Sequence, residues 1–383
     1  MRSPAVWAIL LVVFAMFFFV EHATQSVAGE PEKSDSSAEK PSLQIQYNVV
    51  YGEKSEPMHR ADIYRPKVIP AGRKLPGIIL IHGGAWTAGD KIHDTQHAKA
   101  IAGFGAVVVV VNYRLSPQHP YPAQIDDCRL AYRWMIDHAE ELQINTDALG
   151  AWGYSAGGHL AALLATDPTA GLPRLKVCVA GGAPCDLTRI PANSRVLSQL
   201  LGGTRAQVPE RYKQASPVTY VSSDDPPMLL FHGAKDWLVS PEASLIMKES
   251  LIKSEVTMEH FVVPDKGHLM TFVDKKAMEL SFAFLRRHLV PLEIGVMDSE
   301  TSDNGNVTLN LRSETFRLPN DLEMLTRAIE KTQPTSINVS WPSAAVDEKS
   351  KAKQIDQIQA IFKHLGIDLY LGNERITGTS GRQ

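Results

Sequence analysis

The chain has 383 residues, of which 44% are hydrophobic and 21% are charged, and its formal net charge is −3 at pH 7. This length accommodates one large α/β domain and a second, smaller one. The small net charge gives no electrostatic indication of a nucleic-acid partner, and we expect none. Three cysteines, Cys128, Cys178 and Cys185, are too few for a disulfide framework. We therefore expect buried free thiols.

The N-terminal 28 residues have the pattern of a secretory signal peptide. Arg2 precedes an apolar run over residues 5–20, and Ser26-Val-Ala28 is a small-residue cleavage site. The run is short for a transmembrane span, although an uncleaved segment would tether the chain to a membrane. Residues 29–42 are rich in Ser, Glu, Lys and Pro, which is typical of a flexible linker. The sequence thus predicts a secreted or periplasmic protein, with N-terminal membrane anchoring as the alternative.

Residues 43–290 alternate between strand and helix patterns, which predicts a mostly parallel central sheet flanked by helices. Residues 106–112 form an almost unbroken valine run, typical of a strand buried on both faces. The other predicted strands are 77–81, 149–154, 176–180, 227–233 and 258–263, and the predicted helices are 121–140, 156–165 and 272–288. Residues 187–216 form a long insertion that we expect to make a small cap.

One serine lies in a G-x-S-x-G frame, because residues 153–157 read Gly-Tyr-Ser-Ala-Gly. A strand candidate precedes Ser155 and an alanine-rich helix candidate follows it. A serine hydroxyl becomes a useful nucleophile when a strained strand-to-helix turn exposes it beside a base and oxyanion donors. The frame therefore predicts that Ser155 is a nucleophile.

A glycine pair, Gly83 and Gly84, follows His82 directly after the strand candidate 77–81. An acyl-transfer enzyme stabilises negative charge on a carbonyl oxygen, and the N–H groups of a glycine loop can do so without steric bulk. The residue after the nucleophile, Ala156, would supply a further N–H. We interpret these residues as an oxyanion hole, the alternative being an ordinary turn at the end of a strand.

An acid and a histidine follow two further strand candidates, 227–233 and 258–263, both of which we expect to be buried. Asp236 comes shortly after 227–233, and His268 lies on the loop after 258–263. The carboxyl ends of parallel strands gather at one edge of a sheet, which would bring both side chains towards Ser155. The chain order of serine, aspartate and histidine is that of the α/β-hydrolase triad and differs from the trypsin and subtilisin orders.

Other acidic residues are weaker candidates for the third position of the triad. Asp186 follows the strand candidate 176–180 and is the second choice, with a structural role in its own loop as the expectation. Asp265 is too close to His268 along the chain to orient it from behind. Asp224 and Asp225 precede a Pro-Pro turn and are expected to be solvated.

The remaining histidines are expected to have structural roles. His159 lies one helical turn after the serine, and His260 and His288 lie within a strand candidate and a helix candidate. His93 and His97 have the spacing of a metal pair. Because the glutamate and third ligand of a zincin motif are missing, we predict no metal site.

Residues from about 49 to 288 resemble the α/β-hydrolase superfamily. The resemblance is to the esterase/lipase group that includes hormone-sensitive-lipase-like and bacterial feruloyl-esterase-like enzymes. It rests on His82-Gly-Gly, the Asn112-Tyr-Arg-Leu-Ser-Pro-Gln-His-Pro-Tyr-Pro122 stretch, Gly153-Tyr-Ser-Ala-Gly-Gly158, Ser216-Pro-Val-Thr-Tyr220 and the Asp236 and His268 loops. It implies that Ser155 is the nucleophile, His268 the base and Asp236 its orienting acid, with Gly83, Gly84 and Ala156 as the oxyanion hole and no cofactor. The chain departs from many lipase-like relatives at Ala85, where they carry a third glycine.

These features predict a serine carboxylesterase that acts through an acyl-enzyme. The resemblance implies short-acyl or polysaccharide-linked esters as substrates. Trp86 and Trp237 lie close to the catalytic loops and either line a compact acyl pocket or simply pack. A serine amidase or peptidase on the same fold, and a hydrolase-fold binding protein without catalysis, are the alternatives.

The hydrolase domain is predicted to end near residue 290, followed by a linker over residues 291–304. Residues 305–376 then show a βαβαβ pattern, with strands at 306–311, 336–341 and 368–371 and helices at 321–331 and 353–365. This small α/β unit has a slight resemblance to the periplasmic domain of biopolymer-transport proteins. It carries no catalytic signature, so we interpret it as an accessory or docking module whose partner is unknown.

Overall fold

The computed structural model describes residues 42–290 and, beyond them, six strands and the helical residues Leu325, Ile329, Ile355, Ile358 and Gln359. The predicted signal peptide, residues 1–28, lies outside the described residues, as does the predicted linker 29–42 apart from Ser42. Within the part of the chain that is described, no helix combines the length and the apolar character needed to cross a bilayer.

An eight-stranded sheet forms the centre of residues 42–290. Its strands are β1 (Leu43–Val50), β2 (Arg60–Pro66), β3 (Leu75–Ile81), β4 (Val107–Val111), β5 (Ile144–Tyr154), β6 (Val177–Gly181), β7 (Met228–Gly233) and β8 (Met258–Val263). Their order is β1-β2-β4-β3-β5-β6-β7-β8. Strands β3 to β8 run parallel, and β2 is antiparallel to both β1 and β4. The prediction of a mostly parallel sheet is confirmed, although β1 and β2 are not among the predicted strands.

Helices cover both faces of this sheet. They are α1 (Thr95–Gly103), α2 (Ala123–Asp137), α3 (Ala139–Leu142), α4 (Ala156–Thr166), α5 (Arg195–Leu201), α6 (Pro209–Gln214), α7 (Glu242–Lys253), α8 (His268–Phe272) and α9 (Lys275–Leu289). Side chains of α2, α4 and α7 join one core cluster, and those of α1 and α9 join the other. The valines of β4 alternate between the two clusters, so this strand is buried on both faces as predicted. All three cysteines are buried and free, also as predicted.

The parallel strands place four functional loops at one edge of the sheet. The loops that follow β3, β5, β7 and β8 carry the glycine pair, Ser155, Asp236 and His268 respectively. The expectation that β8 is a buried strand is wrong, because Val263 is its one fully buried residue. β8 is the last strand of the sheet, so one of its edges has no neighbouring strand.

The insertion 187–216 folds into a short 3-10 turn, α5 and α6. Its leucines are buried, and its fully exposed positions are mostly polar or charged. The Tyr121 N–H donates to the Leu200 carbonyl at 2.7 Å, which ties α5 to the start of α2. The Arg205 guanidinium donates to the Thr188 carbonyl within the insertion.

A second sheet has six strands in the order β11-β10-β9-β12-β13-β14. These are β9 (Leu292–Met297), β10 (Val307–Leu311), β11 (Glu314–Leu318), β12 (Ser336–Ser340), β13 (Asp368–Leu371) and β14 (Glu374–Arg375). β10, β12 and β13 correspond to the three predicted strands. The linker prediction is wrong over Leu292–Met297, because β9 pairs with both β10 and β12 in the middle of this sheet. Alternating apolar side chains at Leu292, Ile294 and Val296 give β9 its strand pattern.

Candidate active site

Ser155 occupies the tight turn between β5 and α4. Its backbone has φ 57° and ψ −123°, a conformation that a residue with a side chain rarely adopts. The turn leaves no room at its glycines, since a Cβ on Gly153 would lie 2.3 Å from the Gly157 carbonyl oxygen. A Cβ on Gly157 would lie 1.9 Å from the Ile81 carbonyl oxygen. The Ser155 N–H donates to the Gly181 carbonyl at 2.8 Å, which anchors the turn to β6. The two glycines of the motif are therefore required by sterics.

His268 is the first residue of α8 and reaches the serine from the loop after β8. Its Nε2 lies 2.8 Å from the Ser155 Oγ. The Tyr154 hydroxyl donates to the His268 carbonyl at 2.7 Å, and the two rings lie 5.1 Å apart. The imidazole is thus held from both its backbone and its ring face, and little of it is exposed.

Asp236 lies behind the histidine. Its Oδ2 is 2.5 Å from the His268 Nδ1, while its Oδ1 accepts the N–H groups of Leu238 at 3.0 Å and Val239 at 2.9 Å. Burial on its own raises the pKa of this carboxyl. Hydrogen bonds from two histidines and from the Val239 N–H outweigh burial and hold the pKa well below its ordinary value. The acid is therefore ionised at neutral pH.

The glycine loop after β3 packs against the serine turn. A Cβ on Gly83 would lie 3.0 Å from the Tyr154 carbonyl oxygen and 3.5 Å from the Ser155 Cβ. Gly84 has φ +119°, and a Cβ there would lie 2.1 Å from the Ala88 carbonyl oxygen. Among the described residues, no protein acceptor is found for the backbone N–H groups of Gly83, Gly84 or Ala156. These N–H groups are therefore not engaged in hydrogen bonds within the described part of the chain. Ala85, at the position of the third glycine, has φ 52°.

The weaker acid candidates have structural partners. Asp186 accepts the N–H of Thr188 and forms an ion pair with Arg189, so it holds its own loop as expected. Asp265 pairs with Lys235 at the surface. The expectation that Asp225 is solvated is wrong. Its carboxylate is buried against the Arg174 guanidinium, and that partner lies 51 residues away in sequence.

His97, in α1, and His93, in the turn before α1, both have partners within the protein. His97 lies 3.0 Å from Asp94 and packs against aromatic rings, including that of Phe272 at 4.7 Å. The His93 Nδ1 accepts the Asp90 N–H at 3.2 Å in a helix cap. Within the described residues, no group of three or more potential ligands is arranged to hold a metal ion.

His159 has a structural role, as predicted, and Trp86 is its partner. The Trp86 Nε1–H donates to the His159 Nδ1 at 3.2 Å, and the His159 Nε2 lies 2.6 Å from the Ala215 carbonyl oxygen. A carbonyl can only accept, so Nε2 carries the proton and the ring is neutral. Burial lowers the pKa of His159 to about 4, which agrees with this state.

The two tryptophans differ in exposure. Trp86 is 5% exposed, which favours the packing interpretation. Its large ring has a hydrogen-bonding partner in the core and little surface left for an acyl chain. Trp237 is 78% exposed beside the acid and remains available to a substrate.

One residue of the site is absent from the sequence predictions. The His232 Nε2 lies 3.2 Å from the Asp236 Oδ2, and both side chains are fully buried. His232 precedes the acid by four residues at the end of a strand, and this spacing is the one signal in the sequence that points to the contact.

Comparisons with known proteins agree with this geometry. The BD-FAE family model matches residues 61–251. The probable carboxylic ester hydrolase LipM of Mycobacterium tuberculosis is 32% identical over 208 residues, which are 50% of this chain and 48% of that protein. The chain thus spans about half the length of this curated relative.

Solved structures share the fold. A truncated form of a carbohydrate esterase from gut microbiota matches with a TM-score of 0.60 and 25% identity, covering 66% of this chain and 98% of that one. A thermophilic esterase, Est2 of the planctomycete Thermogutta terrifontis, matches with a TM-score of 0.55 and 24% identity, covering 66% of this chain and 95% of that one. The sheet order and the strained serine turn define an α/β-hydrolase. The chain belongs to the esterase/lipase group of the α/β-hydrolase superfamily.

Proposed function

We propose that this protein is a serine hydrolase that cleaves carboxylic esters through an acyl-enzyme on Ser155. The observation that carries the proposal is the unbroken hydrogen-bonded chain from Asp236 to His268 to Ser155, with links of 2.5 Å and 2.8 Å. Nucleophile, base and orienting group thus lie within hydrogen-bonding reach of one another.

The contacts of His268 define its role in each step. Because Asp236 is ionised, the His268 Nδ1 carries a proton and donates it, which leaves Nε2 as the base. As the Ser155 Oγ attacks the ester carbonyl, Nε2 takes the hydroxyl proton. It then gives that proton to the departing alkoxide, so that the alcohol leaves and the acyl group stays on Oγ. Water repeats the sequence, which releases the carboxylic acid and regenerates the serine.

The carbonyl oxygen gains negative charge in both tetrahedral intermediates. The N–H groups of Gly83, Gly84 and Ala156 would donate to it, and this role is supported because they have no acceptor among the described residues. The glycine loop packs against the serine turn, so these donors are already in place when the reaction begins.

Short-acyl esters, including those carried on polysaccharides, are the substrate class that we propose. The insertion 187–216 buries its leucines, and its exposed positions are mostly polar or charged, which gives little support for a large apolar lid. The names of the relatives support ester chemistry, and one solved neighbour is described as a carbohydrate esterase.

For the location we propose export, on the basis of the pattern in residues 1–28. Sequencing the N-terminus of the native protein tests this, with Gly29 as the expected first residue and an intact N-terminus as the contrary result.

The activity is tested with a panel of substrates and a matched variant. The purified protein and Ser155→Ala would be assayed on p-nitrophenyl esters, acetylated xylan, feruloyl esters and aryl amides. We expect turnover of the esters by the native chain alone. Faster turnover of the amides would make the protein an amidase or peptidase. A native chain inactive on every substrate would indicate a binding protein that keeps the fold.

A further inference from the structure

The His232 Nε2 lies close to two oxygen atoms. Its side chain is fully buried at the end of β7, and its Nε2 hydrogen-bonds to the Val239 carbonyl oxygen at 2.9 Å and lies 3.2 Å from the Asp236 Oδ2. A carbonyl only accepts, so the Nε2 carries the proton and presents a partly positive N–H beside the carboxylate. The His232 Nδ1 is then a bare acceptor, and among the described residues it has no hydrogen-bonding partner.

That orphaned nitrogen indicates why a histidine is present. A buried polar atom without a partner costs free energy, which an apolar side chain of similar size would avoid. The compensating feature of the imidazole is its Nε2–H, which bonds to the catalytic acid and to the loop that follows it. His232 does not contact Ser155, so any effect on the reaction passes through Asp236.

Four N–H groups lie around the Asp236 carboxylate, two at each oxygen. The N–H groups of Leu238 and Val239 donate to Oδ1, the His268 Nδ1–H donates to Oδ2, and the His232 Nε2 lies 3.2 Å from Oδ2. Val239 takes part on both sides, since its N–H bonds to the acid and its carbonyl bonds to His232. Together these contacts restrict the rotation of the carboxylate about its Cβ–Cγ bond.

We propose that His232 is a positioning residue, whose Nε2–H holds the Asp236 Oδ2 in line with the His268 Nδ1 and limits how strongly that oxygen binds the shared proton. This inference rests on the proposed function, because it assigns His232 a part in orienting the proposed base. Without the His232 N–H, the Oδ2 keeps its bond to His268 alone, and its undivided charge holds the His268 proton more tightly.

Other titratable groups lie around this pair. Tyr154 packs on the His268 ring from β5, and its hydroxyl bonds to a backbone carbonyl. His260 approaches His232 from β8 and bonds to the Ser244 hydroxyl. Lys235 and Asp265 form an exposed ion pair nearby. Among the described side chains, His232 and His268 are those that bond to the Asp236 carboxylate.

The test compares two amides that differ by one methylene. In His232→Gln the amide N–H reaches about as far as the imidazole Nε2, whereas in His232→Asn it reaches only as far as Nδ1. His232→Leu fills the space without a donor, and His260→Gln is the control on the neighbouring strand. The measurements are kcat and KM on p-nitrophenyl acetate across pH, and the downfield proton resonance of the His268–Asp236 hydrogen bond.

We expect His232→Asn and His232→Leu to lose about tenfold in kcat with KM nearly unchanged. The acidic limb of their kcat/KM profile should move to higher pH by up to about one unit, because the His268 proton is held more tightly. Their downfield resonance should also move. His232→Gln and His260→Gln should keep the native profile and resonance.

Two results would overturn the proposal. One is a native kcat/KM–pH profile in His232→Asn. The other is a loss of kcat in His232→Gln that equals the loss in His232→Asn, with the acidic limb of the profile unmoved in both. That second result would give His232 a purely structural role. If His232→Leu does not fold, the comparison of the two amides decides alone. A native chain without esterase activity would contradict the proposed function instead, and the resonance would still report on the bond to Asp236.

Discussion

At the scale of single residues, the site depends on which acid holds the histidine. Asp236 is 2.5 Å from the His268 Nδ1, whereas Asp186 bonds to Thr188 and Arg189 in its own loop. In Asp236→Asn the amide would favour the wrong histidine tautomer, and we expect kcat to fall by roughly four orders of magnitude. Asp186→Asn is the matched control and should retain most of the activity. Equal losses in the two variants would contradict the assignment of Asp236.

Residues whose environment depends on a distant partner could not be predicted from the sequence. Asp225 follows Asp224 and precedes a Pro-Pro turn, which predicts a solvated side chain, yet the folded chain places Arg174 against it. His232 looks like one more residue of a buried strand until the following loop brings Val239 and Asp236 onto its Nε2. Ser155, His268 and Asp236 could be predicted because each follows a recognisable strand in a fixed order.

At the scale of elements, His159 links three parts of the molecule. From α4 it accepts the Trp86 N–H of the glycine loop and donates to the Ala215 carbonyl just after α6. The bond to Ala215 requires a proton on Nε2, and the bond from Trp86 requires a bare Nδ1, so the two together require a neutral ring. Protonation of Nδ1 would break the bond to Trp86 and loosen the loop that carries Gly83 and Gly84.

This link predicts a pH dependence of stability. Burial lowers the pKa of His159 from 6.5 to about 4, so between these values the unfolded chain binds a proton that the folded chain does not. The contribution of His159 to the free energy of unfolding should therefore be constant above pH 6.5. Between pH 6.5 and pH 4 it should fall by up to about 1.4 kcal/mol per pH unit as the pH is lowered. His159→Gln should remove this contribution, as measured by urea unfolding at pH 7 and pH 5.

His288 provides the control for that measurement. Burial also lowers its pKa to about 4, and it lies near the end of α9, away from the glycine loop. His288→Gln should reduce the pH dependence of stability to a similar extent and leave kcat unchanged, whereas His159→Gln should lower kcat. An unchanged kcat in His159→Gln would show that the glycine loop does not depend on this bond.

The insertion with α5 and α6 sets the expected substrate size. Its leucines are directed into the core, and its exposed positions are mostly polar or charged. Each buried acyl methylene stabilises binding by about 0.8 kcal/mol, and this gain ends when the apolar site is full. We expect kcat/KM for p-nitrophenyl esters to be highest from acetyl to butyryl and to fall for longer chains. A profile that still rises at octanoyl would indicate an open apolar groove.

The elements that sequence predicts best are the ones buried on both faces. Every residue of β3 and β4 is buried, because helices cover these parallel strands on each side. Their sequences are therefore continuous apolar runs, which are easy to recognise as strands. β1 and β8 lie at the two ends of the sheet and are largely half-exposed or exposed. Their mixed patterns explain why β1 is absent from the predictions and why the burial of β8 is overestimated.

At the scale of the whole molecule, the described core residues of the eight-stranded sheet all precede the second sheet. Among the described residues, the two hydrophobic clusters of the eight-stranded sheet end at Leu289. The first strand of the second sheet, β9, pairs with β10 and β12.

A chain that ends at Val290 should therefore remain soluble and keep its kcat on a small ester within about twofold, since no catalytic group is removed. The cut falls before β9, because a cut at residue 304 would leave an unpaired strand. Circular dichroism melting and an esterase assay check this. Loss of the fold in the shortened chain would show that the two parts depend on a shared core.

The central claim is that Ser155 is the nucleophile of a covalent route, and labelling with a fluorophosphonate tests it most directly. The probe reacts with a serine that is activated by its base, so mass spectrometry of the native chain should find one adduct, on the peptide containing Ser155. In Ser155→Ala the adduct should disappear, and esterase activity should fall by about five to six orders of magnitude. An adduct on a different residue, or esterase activity that survives in Ser155→Ala, would contradict the account.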